Sequence, residues 1–304
     1  MNDDTIGIGC DWGTSNLRFY RLGNSGQIIE RRQFSAGVSS IKDNEFEDFF
    51  TKAIQDWLDN YPNIPVIVSG MAGSRQGWKE TPYLPCPANI EKIVNKLTPI
   101  KLNYGRTIWI APGLSYTNNQ GLHDVMRGEE VQILGALSII DIKKKLICLP
   151  GSHSKWATVT AGHVSEFHTY ITGELFEAIK AGTIIGSMID SNAWNDDAFI
   201  QGIDSVGTSK NILNQLFTVR TKGLFNQLTS TTAGAFLSGL LIGYELAGAL
   251  AGTRFKKIYL IGDGQLTTLY QKALLHKGLE PQVFAPDIIA SGHFKIIKTI
   301  KQGV

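Results

Sequence analysis

The stretch Ile6-Gly-Ile-Gly-Cys-Asp-Trp-Gly-Thr-Ser-Asn-Leu-Arg-Phe-Tyr20 decides how this chain is read. Thr5 to Cys10 reads as an apolar strand and Leu17 to Leu22 as a second, with Asp11 placed at the start of a turn of small, polar residues between them. Backbone N–H groups of Gly13, Thr14 and Ser15, in a turn closed by Asn16, can line a concavity for an anion. Asp11 can hold a hydrated Mg²⁺ against the same phosphates. Its other reading is a strand-end carboxylate that caps the turn. A P-loop is excluded, because that motif ends in Gly-Lys-Ser/Thr and opens a helix, whereas Leu17, Arg18, Phe19 and Tyr20 continue as strand.

Working outward, Gly23 to Gly26 is a hairpin turn and Gln27 to Phe34 a third strand, so the chain begins with an antiparallel trio. Phe46, Phe49, Phe50, Ala53, Ile54, Trp57 and Leu58 recur at helical spacing and predict a helix packed on that sheet. Pro65 to Ser69 and Thr107 to Ala111 are short strands, ended by Gly70-Met-Ala-Gly73 and Pro112-Gly113. Val125 to Ile139 reads as a helix with Asp124 as its N-cap.

The order then repeats. Leu146 to Leu149 is a strand, Pro150 to Ser154 a turn, Lys155 to Thr160 a strand, Ala161-Gly162 a tight turn and His163 to Thr172 a strand, with a helix from near Glu174. In the second turn Gly151, Ser152 and Ser154 offer N–H and hydroxyl donors, and His153 and Lys155 offer side-chain donors. His153 reads equally as a structural hydrogen-bonding residue, and Lys155 as a stem packed beside Trp156. Two such units facing each other would put two phosphate-gripping turns across one cleft. The rest is mainly helical, with a strand at Lys257 to Ile261 ending in Gly262-Asp-Gly264 and another near Gln282 to Ala285.

The chain has 304 residues, which exceeds the usual single core and favours two lobes, 1–141 and 142–304. With a net charge of +2 and 18% charged residues, and Lys and Arg scattered instead of clustered, no nucleic-acid footprint is expected. Three cysteines, Cys10, Cys86 and Cys148, form neither a disulfide framework nor a Cys-x-x-Cys zinc pattern. The start, Met-Asn-Asp-Asp, lacks the basic and apolar regions of a signal peptide, so a cytoplasmic protein is expected. Ala235 to Gly252 has the apolarity of a membrane span, but Glu245 and four glycines inside it favour a buried interdomain helix, and no membrane association is expected.

The order of elements resembles the actin-like ATPase fold (ribonuclease H-like) shared by hexokinase, actin and the heat-shock chaperones. This is a two-lobed α/β architecture with a duplicated strand-hairpin-strand unit and an interdomain ATP cleft. In that superfamily the two hairpin turns hold ATP phosphates and a late Gly-rich turn holds adenosine. The resemblance assigns that late place to Gly262 and Gly264, with Asp263 where a second glycine is commoner. A closer resemblance, over nearly the whole chain, is to the 2-dehydro-3-deoxygalactonokinase family. It is carried by Asp11-Trp-Gly-Thr-Ser-Asn-Leu-Arg18, Gly77-Trp-Lys79, Asp124-Val-Met-Arg-Gly-Glu-Glu130, Pro150-Gly-Ser-His-Ser-Lys-Trp156, Thr172-Gly-Glu-Leu175 and Phe236-Leu-Ser-Gly-Leu-Leu-Ile-Gly243.

That family resemblance implies transfer of phosphate from ATP, with Mg²⁺, to the C6 hydroxyl of 2-dehydro-3-deoxy-D-galactonate. In related sugar kinases a carboxylate base stands near the start of the helix joining the lobes, which makes Glu129, Asp124 and Glu130 the candidates, with Glu129 preferred. An acidic substrate needs a cationic seat. Arg127 and Lys79 are the expected residues, Arg75 is a further cation, and Trp78 and Tyr83 can wall the pocket. Arg18 either pairs with a neighbouring carboxylate or touches phosphate. The expected partners are a small sugar acid and ATP, and a homodimer is compatible with the sequence. Three other functions stay open: a kinase for another sugar, a nucleotide-dependent structural or chaperone-like protein, and a phosphatase on this scaffold.

Overall fold

The computed structural model describes residues 4–42, 45–140, 143–190, 192–208 and 211–303. In chain order the elements are β1 (Thr5–Trp12), β2 (Leu17–Gly23), β3 (Ile28–Phe34), α1 (Phe46–Asn60), β4 (Val66–Gly70), β5 (Tyr83–Pro85), α2 (Ile90–Val94), β6 (Thr98–Lys101), β7 (Thr107–Ile110), β8 (Gly113–Thr117), β9 (His123–Met126) and α3 (Glu129–Ala136). They continue as β10 (Lys144–Leu149), β11 (Ser154–Thr160), β12 (His163–Tyr170), α4 (Thr172–Gly182), α5 (Asp196–Ser205), α6 (Ile212–Leu224), α7 (Ser230–Ala249), β13 (Lys257–Ile261), α8 (Gly264–His276), β14 (Glu280–Phe284) and α9 (Ile288–Lys301).

Two compact units result. Unit 1 comprises Met1–Lys144, Thr158–Phe167 and Ala285–Val304, and unit 2 comprises Lys145–Ala157 and His168–Phe284. The lobe boundary expected between 141 and 142 falls outside the described residues. A single cut in the chain does not reproduce the units, because α9 folds with the first strands.

Unit 1 is built on a sheet of order β3-β2-β1-β4-β7-β6, with a small sheet β5-β8-β9 beside it in sequence. The alternation in β1 explains both faces of the large sheet. Ile8, Cys10 and Trp12 join Phe46, Phe50, Trp57 and Leu58 of α1 in one buried cluster. Truncating one of those rings to alanine would cost about 3–5 kcal/mol. Gly7 and Gly9 point the other way, where a Cβ would run into Ile297 and His293 of α9. The Gly-Ile-Gly alternation is thus a seat for a helix. α3 and α9 lie equally close, since a Cβ on Gly135 would overlap the Ile288 carbonyl and one on Gly292 the Val131 carbonyl.

Unit 2 repeats the plan with the order β12-β11-β10-β13-β14, so the first sheet's trio is echoed strand for strand. Ala161 and Gly162, at φ 48° and 80°, make the tight turn between β11 and β12. α7 is long and apolar enough to cross a bilayer by length and composition, yet it is mostly buried in the core of unit 2. There it packs on α5 so tightly that a Cβ on Gly239 would overlap the Phe199 carbonyl. The helix expected between lobes is the central helix of one unit.

One element differs from the sequence reading. Residues 123–126 form β9, paired antiparallel with β8 with Asp124 opposite Tyr116, and the helix begins only at Glu129. Asp124 is therefore a strand residue and not an N-cap. Gly128, at φ 107°, makes the reversal into α3 that a side chain would resist.

Candidate active site

In unit 1 the site grows from the end of β1. Asp11 faces Arg18 in register on β2, and the guanidinium Nη1 lies 3.6 Å from the carboxylate Oδ2. Arg18 thus takes the carboxylate-pairing role of its two readings. Burial pushes the Asp11 pKa up to about 6, opposed by Arg18 and assisted by the charges of Glu129 and Asp287.

The turn after Asp11 is braced from behind. N–H groups of Gly37, Val38 and Ser39 donate to the carbonyls of Ser15, Gly13 and Thr14 at 3.1, 3.0 and 3.3 Å. A Cβ on Gly37 would collide with the Thr14 carbonyl, so the brace requires glycine. In a trans peptide the C=O of one residue and the N–H of the next point in opposite directions. With three carbonyls aimed at the brace, the N–H groups of Thr14, Ser15 and Asn16 face away from it, and all three residues are exposed. The Gly13 N–H instead donates to the Asn16 carbonyl at 2.9 Å and closes the turn. Of the expected turn residues, Thr14, Ser15 and Asn16 therefore turn their N–H groups away from the brace, and the Gly13 N–H is used within the turn.

Two glycines bring the base candidates to this point. Gly70 ends β4 at φ 87°, and its Cβ would come 2.7 Å from the Trp12 carbonyl; a Cβ on Gly128 would come 3.1 Å from Gly70 Cα. The start of α3 consequently lies against the ends of β1 and β4. Glu129, its first residue, accepts the Arg127 N–H at 2.9 Å through Oε2. Glu130 is buried and accepts the Gly128 N–H at 2.7 Å. Burial, then repulsion from Glu129, lifts the Glu130 pKa to about 8. Asp124 lies on β9, where its carboxylate accepts the Val125 N–H at 2.8 Å.

Sequence reasoning missed Asp287, just before α9. Its carboxylate accepts the Tyr20 hydroxyl and Arg31 Nη1, both at 2.8 Å, and its charge reaches Asp11. Only the long-range return of α9 makes it a neighbour. The expected substrate residues are spread over different settings. Arg127 is buried; its Nη2 donates to the Thr81 carbonyl at 2.8 Å, its Nη1 to the Thr81 hydroxyl, and its guanidinium stacks 4.3 Å from the Tyr83 ring centre. Lys79 is exposed and donates to the Pro99 carbonyl at 2.8 Å. Arg75 is exposed beside Glu80, 3.6 Å away. Trp78 packs inward on Phe50 and Trp12, at 5.2 and 6.0 Å between ring centres.

Unit 2 carries the second turn. The Glu174 N–H donates to the Ser152 carbonyl at 3.0 Å, His153 pairs with the Glu174 carboxylate, and a Cβ on Gly173 would come 2.6 Å from the Gly151 carbonyl. Ser152 and His153 are exposed, while Ser154, Lys155 and Trp156 are buried as β11 begins. Ser152, Thr172 and Gly173 form one wall of a cavity of about 550 Å³. Gly234, Ser238 and Leu241 of α7 form another, and Gln265 and Leu266 of α8 a third. The Gly262-Asp-Gly264 turn leads into that last wall. The Gly262 N–H donates to the Phe284 carbonyl at 3.0 Å, and Gly264, at φ 68°, opens α8. Among the described residues no group of three or more His, Cys, Asp or Glu is placed to hold a metal ion.

Repetition of the three-strand unit in the two large sheets, with a carboxylate turn in one unit and a donor turn beside a cavity in the other, is the plan of the actin-like ATPase fold. The 2-keto-3-deoxy-galactonokinase family model matches residues 11–296. The chain belongs to that family. A Rhizobium meliloti (strain 1021) protein bearing the 2-dehydro-3-deoxygalactonokinase name is 36% identical over 282 residues, covering 91% of each chain. The 2-dehydro-3-deoxygalactonokinase of Escherichia coli (strain K12) is 34% identical over 281 residues, covering 92% of this chain and 93% of its own. A crystal structure from Sinorhizobium meliloti carrying the same enzyme name superposes with a TM-score of 0.86 at 34% identity, covering 96% of this chain and 98% of that one. The activator of 2-hydroxyisocaproyl-CoA dehydratase from Clostridium difficile, solved with ADPNP, shares the fold at a TM-score of 0.51 and 13% identity, over 98% and 97% of the two chains.

Proposed function

We propose that this chain is a cytoplasmic ATP-dependent kinase that phosphorylates the C6 hydroxyl of 2-dehydro-3-deoxy-D-galactonate. The observation that supports it most is the meeting of Asp11, Glu129 and an outward-facing N–H turn in a chain of this family. Phosphoryl transfer has a loose transition state, so the protein's work is alignment and charge neutralisation. N–H groups of Thr14, Ser15 and Asn16 receive phosphate oxygens in one unit, and Gly151, Ser152 and His153 in the other. Lys155 steadies the second turn from its buried position. The 550 Å³ cavity, which the Gly262 to Gly264 turn leads into, takes the nucleoside.

Mg²⁺ fits Asp11. That ion keeps most of its hydration shell beside phosphates and needs only one or two carboxylates, and an acid whose proton is held by burial first and by neighbouring negative charges second gains from a cation. When bound it supplies charge neutralisation to the phosphate oxygens. Glu129 takes the hydroxyl proton as general base, because it opens α3 close enough to Asp11 to influence its titration. Asp124, on β9, is the second choice. Arg127 is a buried cation with no ion-pair partner and a bare Nε among the described residues, which suits it to the substrate carboxylate. Lys79, on the segment between β4 and β5, is the second cation, and Trp78 anchors that segment.

A coupled assay with ATP and Mg²⁺ tests this reading against a panel of 2-dehydro-3-deoxy acids and neutral hexoses. Turnover of the galactonate derivative above the others is expected. Turnover of a different sugar alone would overturn the substrate, and ADP release that no acceptor stimulates would overturn the kinase reading.

A further inference from the structure

α7 is apolar over nearly its whole length, yet Glu245 sits in it with 2% of its surface exposed. A buried carboxylate in such a helix is costly unless every lone pair facing the protein is met. Here two donors meet it from two other elements. Trp156 of β11 gives its indole N–H to Oε1 at 2.7 Å, and Tyr270 of α8 gives its hydroxyl to Oε2 at 2.6 Å. The Tyr270 hydroxyl also lies 3.4 Å from the hydroxyl of Ser154, which is itself buried and donates to the Tyr170 carbonyl at 3.3 Å. One carboxylate thus links three pieces of unit 2. They are the strand that begins at the end of the 150–154 turn, the helix that follows the 262–264 turn, and the helix that floors the cavity through Gly234, Ser238 and Leu241.

Among the described residues no cation takes part, so the arrangement contributes direction more than net stability: apolar groups of equal volume would hold a core at least as well. What an apolar core would not do is fix the rotation of α8 and the start of β11 about α7 to a single hydrogen-bonded setting. Both flanking turns depend on that setting for where their donors point.

We propose that Glu245 is a positioning residue for the nucleotide. Acting through Tyr270 on Ser154 and through Trp156 on β11, it holds the second phosphate turn and the α8 wall of the cavity in one register. The inference rests on the ATP reading of that cavity. It names a role for the one acidic residue of the apolar helix.

Three variants test it by direct titration with a non-hydrolysable ATP analogue, alongside steady-state KM values for ATP and the sugar acid. Tyr270→Phe keeps volume and the Trp156–Glu245 bond but removes the Tyr270–Glu245 hydrogen bond and with it the hydroxyl that meets Ser154; it is expected to raise nucleotide Kd and ATP KM by roughly threefold to tenfold, leaving the sugar-acid KM in place. Glu245→Leu is expected to do so more strongly. Glu245→Gln can still accept from Trp156 and donate to the Tyr270 oxygen, so it recovers most of the affinity that Glu245→Leu loses. An unchanged nucleotide Kd in Tyr270→Phe overturns the proposal, even if Glu245→Leu fails to fold. Equal rises in both KM values would also overturn it, as general loosening. If the wild-type chain binds no nucleotide at all, the kinase reading itself falls, an outcome distinct from either.

Discussion

The two hairpin turns have the same scaffold and opposite surroundings. Each is braced by a segment with a glycine at the closest approach, Gly37 behind the 13–16 turn and Gly173 behind the 150–154 turn. Around the first, however, the neighbours are acids: burial raises the Asp11 pKa to about 6, and the charges of Glu129 and Asp287 add to that rise against the pull of Arg18. The second opens on a cavity with apolar Leu241, Leu266 and Leu269 among its walls. In the proposed enzyme a duplicated unit has therefore divided its labour. One copy concentrates negative charge where a metal and a proton must be handled, and the other sets charges of both signs, Glu177, Lys180 and Asp190, beside apolar surface where a nucleoside must be held.

Substitutions can break that division. Asp11→Asn is expected to have the largest effect, lowering kcat by about a thousandfold with ATP binding in the metal-free state little changed. Comparable loss in both quantities would mean that the first turn also carries nucleotide affinity. Glu129→Gln comes next, with kcat reduced about a hundredfold and KM values near wild type. Near-normal turnover would move the base to Asp124. Paired glycine variants sharpen the contrast further. Gly173→Ala should raise ATP KM by roughly tenfold, whereas Gly37→Ala should act mainly on kcat, and an identical pattern in both would erase the distinction.

The smallest effect on turnover is expected from Glu130→Gln, and its signature is in stability. With a folded pKa of about 8 against about 4.3 for a free glutamate, the folded state holds the Glu130 proton over that window and the unfolded chain does not. Stability from this group is complete below the unfolded value and is lost as pH rises towards 8. Thermal melts should show Glu130→Gln gaining on the wild type by on the order of a few kcal/mol at pH 8 to 9 and by little near pH 4. A parallel pH dependence in the two proteins would show that Glu130 is not the buried acid described. The acid limb of kcat/KM, set by protonation of Asp11 in the free enzyme, is expected near pH 6.

Much of this was legible in the sequence because it is local. Alternating Ile8, Cys10 and Trp12, the polar turn after them and its echo after Leu149 depend on neighbours within a few residues, and the strand trios follow. The 113–126 hairpin was not legible. Val125 and Met126 extend the apolar run of α3 backwards, and Asp124 imitates an N-cap, so the pattern favours a helix. The opposing signal is the glycine at 128, whose positive φ delays the helix from Val125 to Glu129. Asp287 and the choice among turn N–H groups could not be read at all. The first depends on α9 crossing back to β2, and the second on a brace from residues 37–39 that carries no motif.

That crossing has a consequence for how the protein is made. Tyr20 and Asp287 are 267 positions apart, and the glycine face of β1 is filled by His293 and Ile297. A ribosome releases the strand bearing Asp11 long before the helix that covers it, so the nascent chain must carry an unfinished sheet face through most of its synthesis. The acid cluster is complete only when translation of α9 is done. A stalled or truncated chain would then carry the walls of the unit 2 cavity without the acid cluster of unit 1.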